Sequence, residues 1–412
     1  MRTITKKLTA LLTPGGLLTG LFLAGMFYIS LAGVPTVMYE LGNALYHKTG
    51  VSYAIDSLDE YYSGMLTTEK DQPLLHNKGS YINLNGLMAK ILGQPAMNER
   101  ITLKNGHLSF DYSVGPEEAE IREAADNVVR LSRQFTREGK HFLLVMASSQ
   151  LSKYQQLLPA GYRDAITPAA DRFLALLEEE AVDCLDLREQ MELEGISVTD
   201  AYYTTDHHWK PETGFWAYTR ILQKLEQMGA AEPVDAFYTD PNNFTFESHP
   251  ETFLGSGGKR TGLYYAGLDS STYIRPNFET DISLTVEDRQ LNLRGRYEDV
   301  CYNTEVPHSF TDPDYYHDSF YALYGWGDTP LTRWRNHSAP QSGKYLLIGD
   351  SFGNVPFSLL SVYLESCDEM DMRYFTEDFA AYCAGYDPDT VILLINVDMV
   401  TSPFTADTYF SH

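Results

Sequence analysis

The stretch Tyr345-Leu346-Leu347-Ile348-Gly349-Asp350-Ser351-Phe352-Gly353-Asn354-Val355 decides the fold. Tyr345 to Ile348 is a short apolar run and predicts a buried strand. Gly349-Asp350-Ser351 breaks it, and Phe357, Leu360, Val362 and Leu364 follow at spacing that predicts a helix. A serine between a buried strand and a helix sits where α/β enzymes place a nucleophile. The sharp turn exposes Oγ, and the helix N-terminus offers N–H groups to a developing oxyanion. The competing reading is a serine that merely caps the helix.

Outward from this stretch, strands and helices alternate. Glu117 to Glu138 reads as an amphipathic helix, with Ile121, Ala124, Val128, Leu131 and Phe135 on one face and Gly139 as its stop. Phe142 to Met146 predicts a buried strand, and Ala147-Ser148-Ser149 ends it where an open α/β sheet gathers ligand-binding groups. Thr167-Pro168 predicts a helix start with threonine as the cap and proline at the first helical position, running to about Ala181. Val182 to Leu187 is a further short strand. Pro211 opens a helix carrying Phe215, Tyr218, Leu222 and Leu225, with Gly229 past its end. Beyond the serine, Glu369 to Tyr374 reads as a strand, Thr376 as the cap of a short helix ending near Gly385, and Val391 to Ile395 as a last buried strand. Near the start, Asn77-Lys78-Gly79-Ser80-Tyr81 reads as a turn entering a strand. The expected architecture is α/β: a mostly parallel sheet flanked by helices, with a loop- and strand-rich insertion at 230–340.

That insertion is rich in Tyr, Asp, Gly, Pro and Asn. Leu254-Gly255-Ser256-Gly257-Gly258-Lys259-Arg260 has a superficial likeness to a phosphate loop. It lacks the spacing and the following Ser/Thr of that motif, and reads as a flexible loop with no helix after it. Tyr315 to Trp326 is dense in aromatics. It reads either as core or as a rim on which sugars stack, with Tyr324 a candidate substrate contact.

The chain has 412 residues, 43% of them hydrophobic, enough for a sizeable core. A net charge of −25 excludes general nucleic-acid binding, since phosphate backbones demand Lys and Arg. It also disfavours a strongly polyanionic substrate. The 29 tyrosines suit sugar surfaces, although most are expected in the core and its rim. Cys184, Cys301, Cys367 and Cys383 form no C-x-x-C pair. A Cys367–Cys383 bridge and buried free thiols are both open.

Arg2, Lys6 and Lys7 precede an uncharged apolar stretch, Leu17 to Val34. Its length suits a membrane-spanning helix with a cytoplasmic N-terminus and everything after Pro35 outside. Ser30-Leu31-Ala32 also permits cleavage as a signal peptide, giving a secreted protein. Both readings export the chain: residues 1–36 form the anchor or signal, and 37–412 the domain.

A nucleophilic serine needs a base, and the base an orienting carboxylate. Thr204-Thr205-Asp206-His207-His208-Trp209 supplies both. On extended backbone, residues two apart face the same side. Asp206 then holds His208 Nδ1 while Nε2 faces Ser351, and His207 points away. Trp209 walls the imidazole from water or stacks on substrate. An ordinary polar loop is the bland alternative. Metal binding by Asp206 and the two histidines is another, disfavoured because adjacent histidines on extended chain diverge and no further ligand cluster is visible. No cofactor is expected.

Thr205-Asp206-His207-His208-Trp209-Lys210-Pro211 resembles the motif that names the DHHW family of bacterial exported proteins. The resemblance continues through Lys344 to Asn354, the tyrosine-rich insertion, Met370 to Phe375 and Asn396-Val397-Asp398, covering roughly residues 60–400. This family is similar to the alginate O-acetyltransferase group of the SGNH (GDSL-like) hydrolase superfamily. In that group an Asp-x-His pair precedes the serine, whereas ordinary SGNH esterases place it after. The resemblance implies an SGNH-type α/β/α sandwich, with Ser351 as nucleophile, His208 as base and Asp206 as orienting carboxylate. It implies transfer of an acetyl group to hydroxyls of an extracellular or cell-wall polysaccharide, the acetyl coming from a membrane-bound acyltransferase partner. A carbohydrate esterase (deacetylase) and a catalytically inactive surface-binding protein are the alternatives. The Gly and Asn blocks of ordinary SGNH enzymes are not evident. Asn354 and Asn396 are the side-chain candidates for oxyanion contacts, beside the N–H of Ser351. No carbohydrate-binding module is expected after the last strand, so alginate is not the implied acceptor.

Overall fold

The structure, a computed structural model, describes residues 78–303 and 310–401 together with Gly20 and Ala24. The chain divides into two units, Met1–Tyr81 and Ile82–His412. The apolar stretch 17–34 lies outside the described residues apart from Gly20 and Ala24. Among the described residues no helix is long and apolar enough to cross a membrane.

The strands are β1 (Ala96–Met97), β2 (Arg100–Thr102), β3 (Leu108–Phe110), β4 (His141–Met146), β5 (Cys184–Asp186), β6 (Phe244–Phe253), β7 (Asp269–Pro276), β8 (Ile282–Val286), β9 (Leu291–Gly295), β10 (Leu331–Asn336), β11 (Gln341–Gly349), β12 (Leu364–Met370) and β13 (Thr390–Ile395). The helices that matter here are α1 (Lys78–Ile91), α2 (Glu118–Arg137), α3 (Ile166–Glu179), α4 (Pro211–Gln227), α5 (Ser256–Thr261), α6 (Asn354–Tyr363) and α7 (Phe379–Tyr386).

Eight strands form the central sheet in the order β5-β4-β13-β11-β12-β10-β8-β9. The first five run parallel. The last three join antiparallel. Continuous apolar runs make the parallel strands, because both of their faces are covered. The period of two sorts their side chains. Leu143, Val145, Tyr345, Leu347, Ile392 and Leu394 enter one core, beneath α4 and α6. Phe142, Leu144, Met146, Leu346, Ile348, Val391, Leu393 and Ile395 enter the other, beneath α2, α3 and α7. The result is an α/β/α sandwich, as expected.

Several boundaries differ from the sequence reading. The mostly parallel sheet is mixed, because 230–340 is not only an insertion: β8, β9 and β10 extend the central sheet. Residues 78–81 begin helix α1 rather than a strand. Helix α3 starts at Ile166, and its first N–H groups are taken by Asp164 Oδ1, not by Thr167. Strand β12 ends at Met370, because Asp371 turns the chain by accepting the Arg373 N–H. Asp378, not Thr376, caps α7. The four cysteines are free thiols, three of them buried.

Candidate active site

Three chain segments leave the C-terminal ends of neighbouring parallel strands and meet at one place. β4 leads to Ser148-Ser149-Gln150, β11 to Asp350-Ser351, and β13 to Asn396-Val397-Asp398. This is where an open α/β sheet collects functional groups.

Ser351 begins a 3₁₀ turn, Ser351–Gly353, that leads into α6. The cap of this turn is Asp350, whose Oδ1 accepts the Phe352 N–H at 2.8 Å. The capping role read for Ser351 therefore belongs to its neighbour, and the serine hydroxyl is left for another partner. That partner is His208: its Nε2 lies 2.7 Å from Ser351 Oγ. His208 Nδ1 lies 2.5 Å from Asp206 Oδ1. Ser351, His208 and Asp206 thus form one hydrogen-bonded row, spanning 143 residues of sequence between histidine and serine.

The loop that carries His208 is bent, not extended. Tyr202 and Trp209 pair as an isolated antiparallel bridge, and residues 204–208 bulge between them. Asp206 Oδ1 also accepts the backbone N–H of His208 at 3.0 Å, the self-bonding turn to which aspartate is suited. This changes the fate of His207. It does not point away: its ring centre lies 3.9 Å from that of His208. Its Nδ1 lies 3.1 Å from Ser256 Oγ, and Phe110 meets its face edge-on.

The grip on Asp206 is tight. Its Oδ2 accepts the Ser256 N–H at 2.5 Å, and its carbonyl accepts Gln150 Nε2–H at 2.8 Å. Burial by itself raises a carboxyl pKa. Here His208 beside it, and hydrogen bonds from His208 and Ser256, outweigh burial and hold Asp206 well below the usual carboxylate range. Burial, then His208, pushes His207 down to about 3, so this ring is neutral at ordinary pH. Burial pushes the Asp350 carboxyl up to about 7 despite the Phe352 N–H.

The sequence reading missed the residues that hold this arrangement. Asp269 accepts the N–H groups of Thr204 and Thr205 and the Thr205 hydroxyl, at 2.9, 2.7 and 2.7 Å. The Gly255 N–H donates to Thr205 Oγ1, and the Gly258 N–H to Thr205 O. The segment read as a flexible glycine loop is therefore a short helix, α5, packed against the histidine loop. Tyr321 stacks on the His208 ring with centres 3.9 Å apart and planes 14° from parallel. The glycines of 255–258 and the tyrosine run were visible signals, but nothing in their local spacing tied them to residue 206.

Of the remaining candidates, Trp209 is wholly buried and meets Phe352 edge-on at 5.2 Å, so it is core and offers no face to a substrate. Tyr324 is equally buried. Its hydroxyl donates to Thr272 O and accepts the Ile274 N–H, which makes it a strut of β7 rather than a substrate contact. Asn396 Nδ2 donates to Asp350 Oδ2 at 3.1 Å, tying β13 to the Ser351 turn. Asn354 is buried and lines a separate small pocket with Asp328, Glu369 and Asp371. A small pocket beside His207 is walled by Ser149, Gln150, Phe352 and Asn396.

Asp206, His207 and His208 each offer a metal-ligand atom, all within 4.8 Å of one another. The expected divergence of the histidines fails because the loop is bent. Both ring nitrogens of His208 are nevertheless engaged, one by Asp206 and one by Ser351. A metal there requires breaking the row.

Residues 109–245 match the family model of the SGNH hydrolase-like domain of the acetyltransferase AlgX. Among solved structures, PatB1 of Bacillus cereus with a sulfonyl adduct superposes with a TM-score of 0.62 at 17% identity, over 76% of this chain and 98% of that one. A DHHW family protein from Eubacterium siraeum superposes with a TM-score of 0.55 at 16% identity, over 75% and 95%. No curated protein matches the sequence. The resemblance is borne out by the family model, whose match includes residues 205–211, and by the fold, which is of SGNH hydrolase type.

Proposed function

We propose that the chain is an exported serine acyltransferase that places acetyl groups on hydroxyls of an extracellular or cell-wall polysaccharide. The observation that carries this reading is the row Asp206–His208–Ser351, with 2.5 and 2.7 Å between its members. The match to an acetyltransferase domain supports acyl chemistry over other uses of such a row. PatB1 is also known with a sulfonyl adduct, and sulfonyl electrophiles react with activated nucleophiles of this kind.

In the proposed reaction, His208 Nε2 takes the Ser351 hydroxyl proton as Oγ bonds to the acyl carbon. The oxyanion rests on backbone N–H groups, first that of Ser351, which starts its turn and has no preceding turn carbonyl to bond. The carbonyl re-forms, and the leaving group departs with the proton from His208. A sugar hydroxyl then gives its proton to His208 and attacks the acyl-serine, and Ser351 recovers its proton when the ester product leaves. Asp206 stays ionised throughout and holds the tautomer. The chain's acidity favours an acceptor that is not itself strongly anionic. The proposed donor is a membrane-bound acyltransferase, reached because residues 17–34 anchor or export the domain.

The test is incubation of the purified chain with p-nitrophenyl acetate, with and without neutral oligosaccharides, followed by intact mass. The wild type is expected to gain one acetyl group and Ser351→Ala none. His208→Ala should lose about three or more powers of ten in rate. Acetylated oligosaccharide establishes transfer, whereas free acetate alone points to an esterase. Indistinguishable wild type and Ser351→Ala across several acyl esters would remove the reading in favour of a binding protein.

A further inference from the structure

The proposed row leaves one feature of its base unexplained: both faces of the His208 imidazole are covered by rings. Tyr321 stacks on it at 3.9 Å and 14°. His207 is centred at the same distance, tilted by 38°. Two rings this close to one imidazole cannot share a face without overlapping, so they take opposite sides. We propose that Tyr321, from the insertion, is a positioning residue for the proposed acyl transfer: it closes a three-ring sandwich that keeps His208 Nε2 on Ser351 Oγ and favours the imidazolium formed as the serine attacks.

Three observations carry this inference, which rests on the acyl-transfer reading. First, Asp206 at one edge and Ser351 at the other leave the His208 ring able to tip about that axis, and His207 and the oblique Phe352 ring at 5.2 Å are both tilted against it, so Tyr321 is the one ring among these that lies flat on its plane. Stacking blocks the tip. Second, a tyrosine face carries partial negative charge and attracts a cation lying on it. His208 becomes that cation during transfer. Third, Tyr321 is itself fixed. It is 3% exposed, starts a 3₁₀ turn at Tyr321–Leu323, and lies edge-on to Tyr203. Its hydroxyl lies near the Trp209 indole but makes no hydrogen bond of normal geometry. The proposed role therefore rests with the ring, and Tyr321→Phe tests the hydroxyl separately.

His208 also feels the carboxylates of Asp206, Asp350 and Asp398. Arg100 and Arg373 act on the neighbouring His207, and Lys259 on Asp206. All of these stay in place when Tyr321 is changed, so a comparison of variants isolates the ring.

The experiment is pre-steady-state acetylation of the full chain by p-nitrophenyl acetate, comparing wild type, Tyr321→Phe and Tyr321→Leu. Burst amplitude counts competent sites, and burst rate reports the chemistry in each. Tyr321→Phe is expected to match the wild type in both. Tyr321→Leu is expected to keep its amplitude and KM while its burst rate falls on the order of 10- to 100-fold, the scale of a misplaced catalytic group. A Tyr321→Leu burst rate within twofold of wild type removes the inference and leaves the acyl-transfer reading standing. A loss confined to amplitude assigns Tyr321 a purely structural role and also removes it. Absence of any burst or acetyl-Ser351 in the wild type removes both. Should Tyr321→Leu not fold, Tyr321→Met makes the same comparison.

Discussion

At the scale of single residues, the site is decided by contacts too short to admit alternatives. Asp206 places one oxygen on His208 and the other on the Ser256 N–H. Asp206→Asn keeps the shape but presents an N–H₂ to one of these donors, and the wrong His208 tautomer follows. Acetylation of Ser351 is expected to fall by about 10⁴ while thermal unfolding shifts little by comparison; measured together, the two separate chemistry from folding. Gly255 is a second such residue. Its backbone is ordinary, with φ −68°, so conformation does not require glycine. Space does: a Cβ there would lie 2.3 Å from Asp206 Cβ and 2.7 Å from Oδ2. Gly255→Ala is expected to destabilise the protein by roughly 1–3 kcal/mol through overpacking and to slow acyl transfer by displacing Asp206. Full activity and an unchanged melting temperature in this variant would contradict the contact.

At the scale of elements, the histidine loop is held by the insertion as well as by its own flanks. The first residue of β7, Asp269, takes three donors from Thr204 and Thr205, and α5 closes over the other side. Removing the carboxylate in Asp269→Ala leaves those donors buried without an acceptor, which costs about 1–3 kcal/mol for each group that finds no substitute. The expected outcome is a lower melting temperature and a slower burst. Hydrogen exchange should show the amides of Thr204 and Thr205 exchanging faster than those of β4 or β13. Equal protection in variant and wild type would mean that the loop is held from elsewhere. The same element scale explains what the sequence reading gained and lost. Apolar runs such as Val391 to Ile395 announce themselves. The role of Ser256 does not, because a helix of six residues has almost no periodicity and its function lies in a contact 50 residues away.

At the scale of the whole molecule, the mixed sheet carries a buried acid that sets a pH limit on stability. Glu369 on β12 meets the Trp334 indole N–H at 3.1 Å, and burial pushes its carboxyl up to about 8, aided by Asp371 and Asp328. A carboxyl whose folded pKa is raised is protonated in the fold and ionised in the unfolded chain between its ordinary value of 4.5 and about 8. Its contribution to stability is therefore full below the ordinary value and is lost as pH rises through that window. Asp350, pushed up to about 7, acts in the same direction. The melting temperature should fall between about pH 5 and pH 8.5. Glu369→Gln, neutral throughout, should fall less. Parallel curves for the two proteins would show that Glu369 is solvated.

The sequence by itself determined the parallel core and the identity of the row. Strand and helix there are local matters: Tyr345 to Ile348 and Val391 to Ile395 are apolar without a break because both faces are covered, and the period of α2 is written in its own residues. Asp206 and His208, two apart, were legible together by the rule that residues two apart on an extended backbone face the same side; the pair meets although the backbone is in fact bent. What only the tertiary structure decided is everything that depends on contacts across the chain. It made the insertion part of the sheet and turned a glycine loop into the clamp on Asp206. It bent the histidine loop so that His207 lies on His208, and it put Tyr321 on the opposite face. It also buried Trp209 and Tyr324, for which the sequence had left a substrate contact open beside a place in the core. Burial and pairing at these residues come from segments 50 or more positions apart, and no local pattern of residues encodes such a meeting.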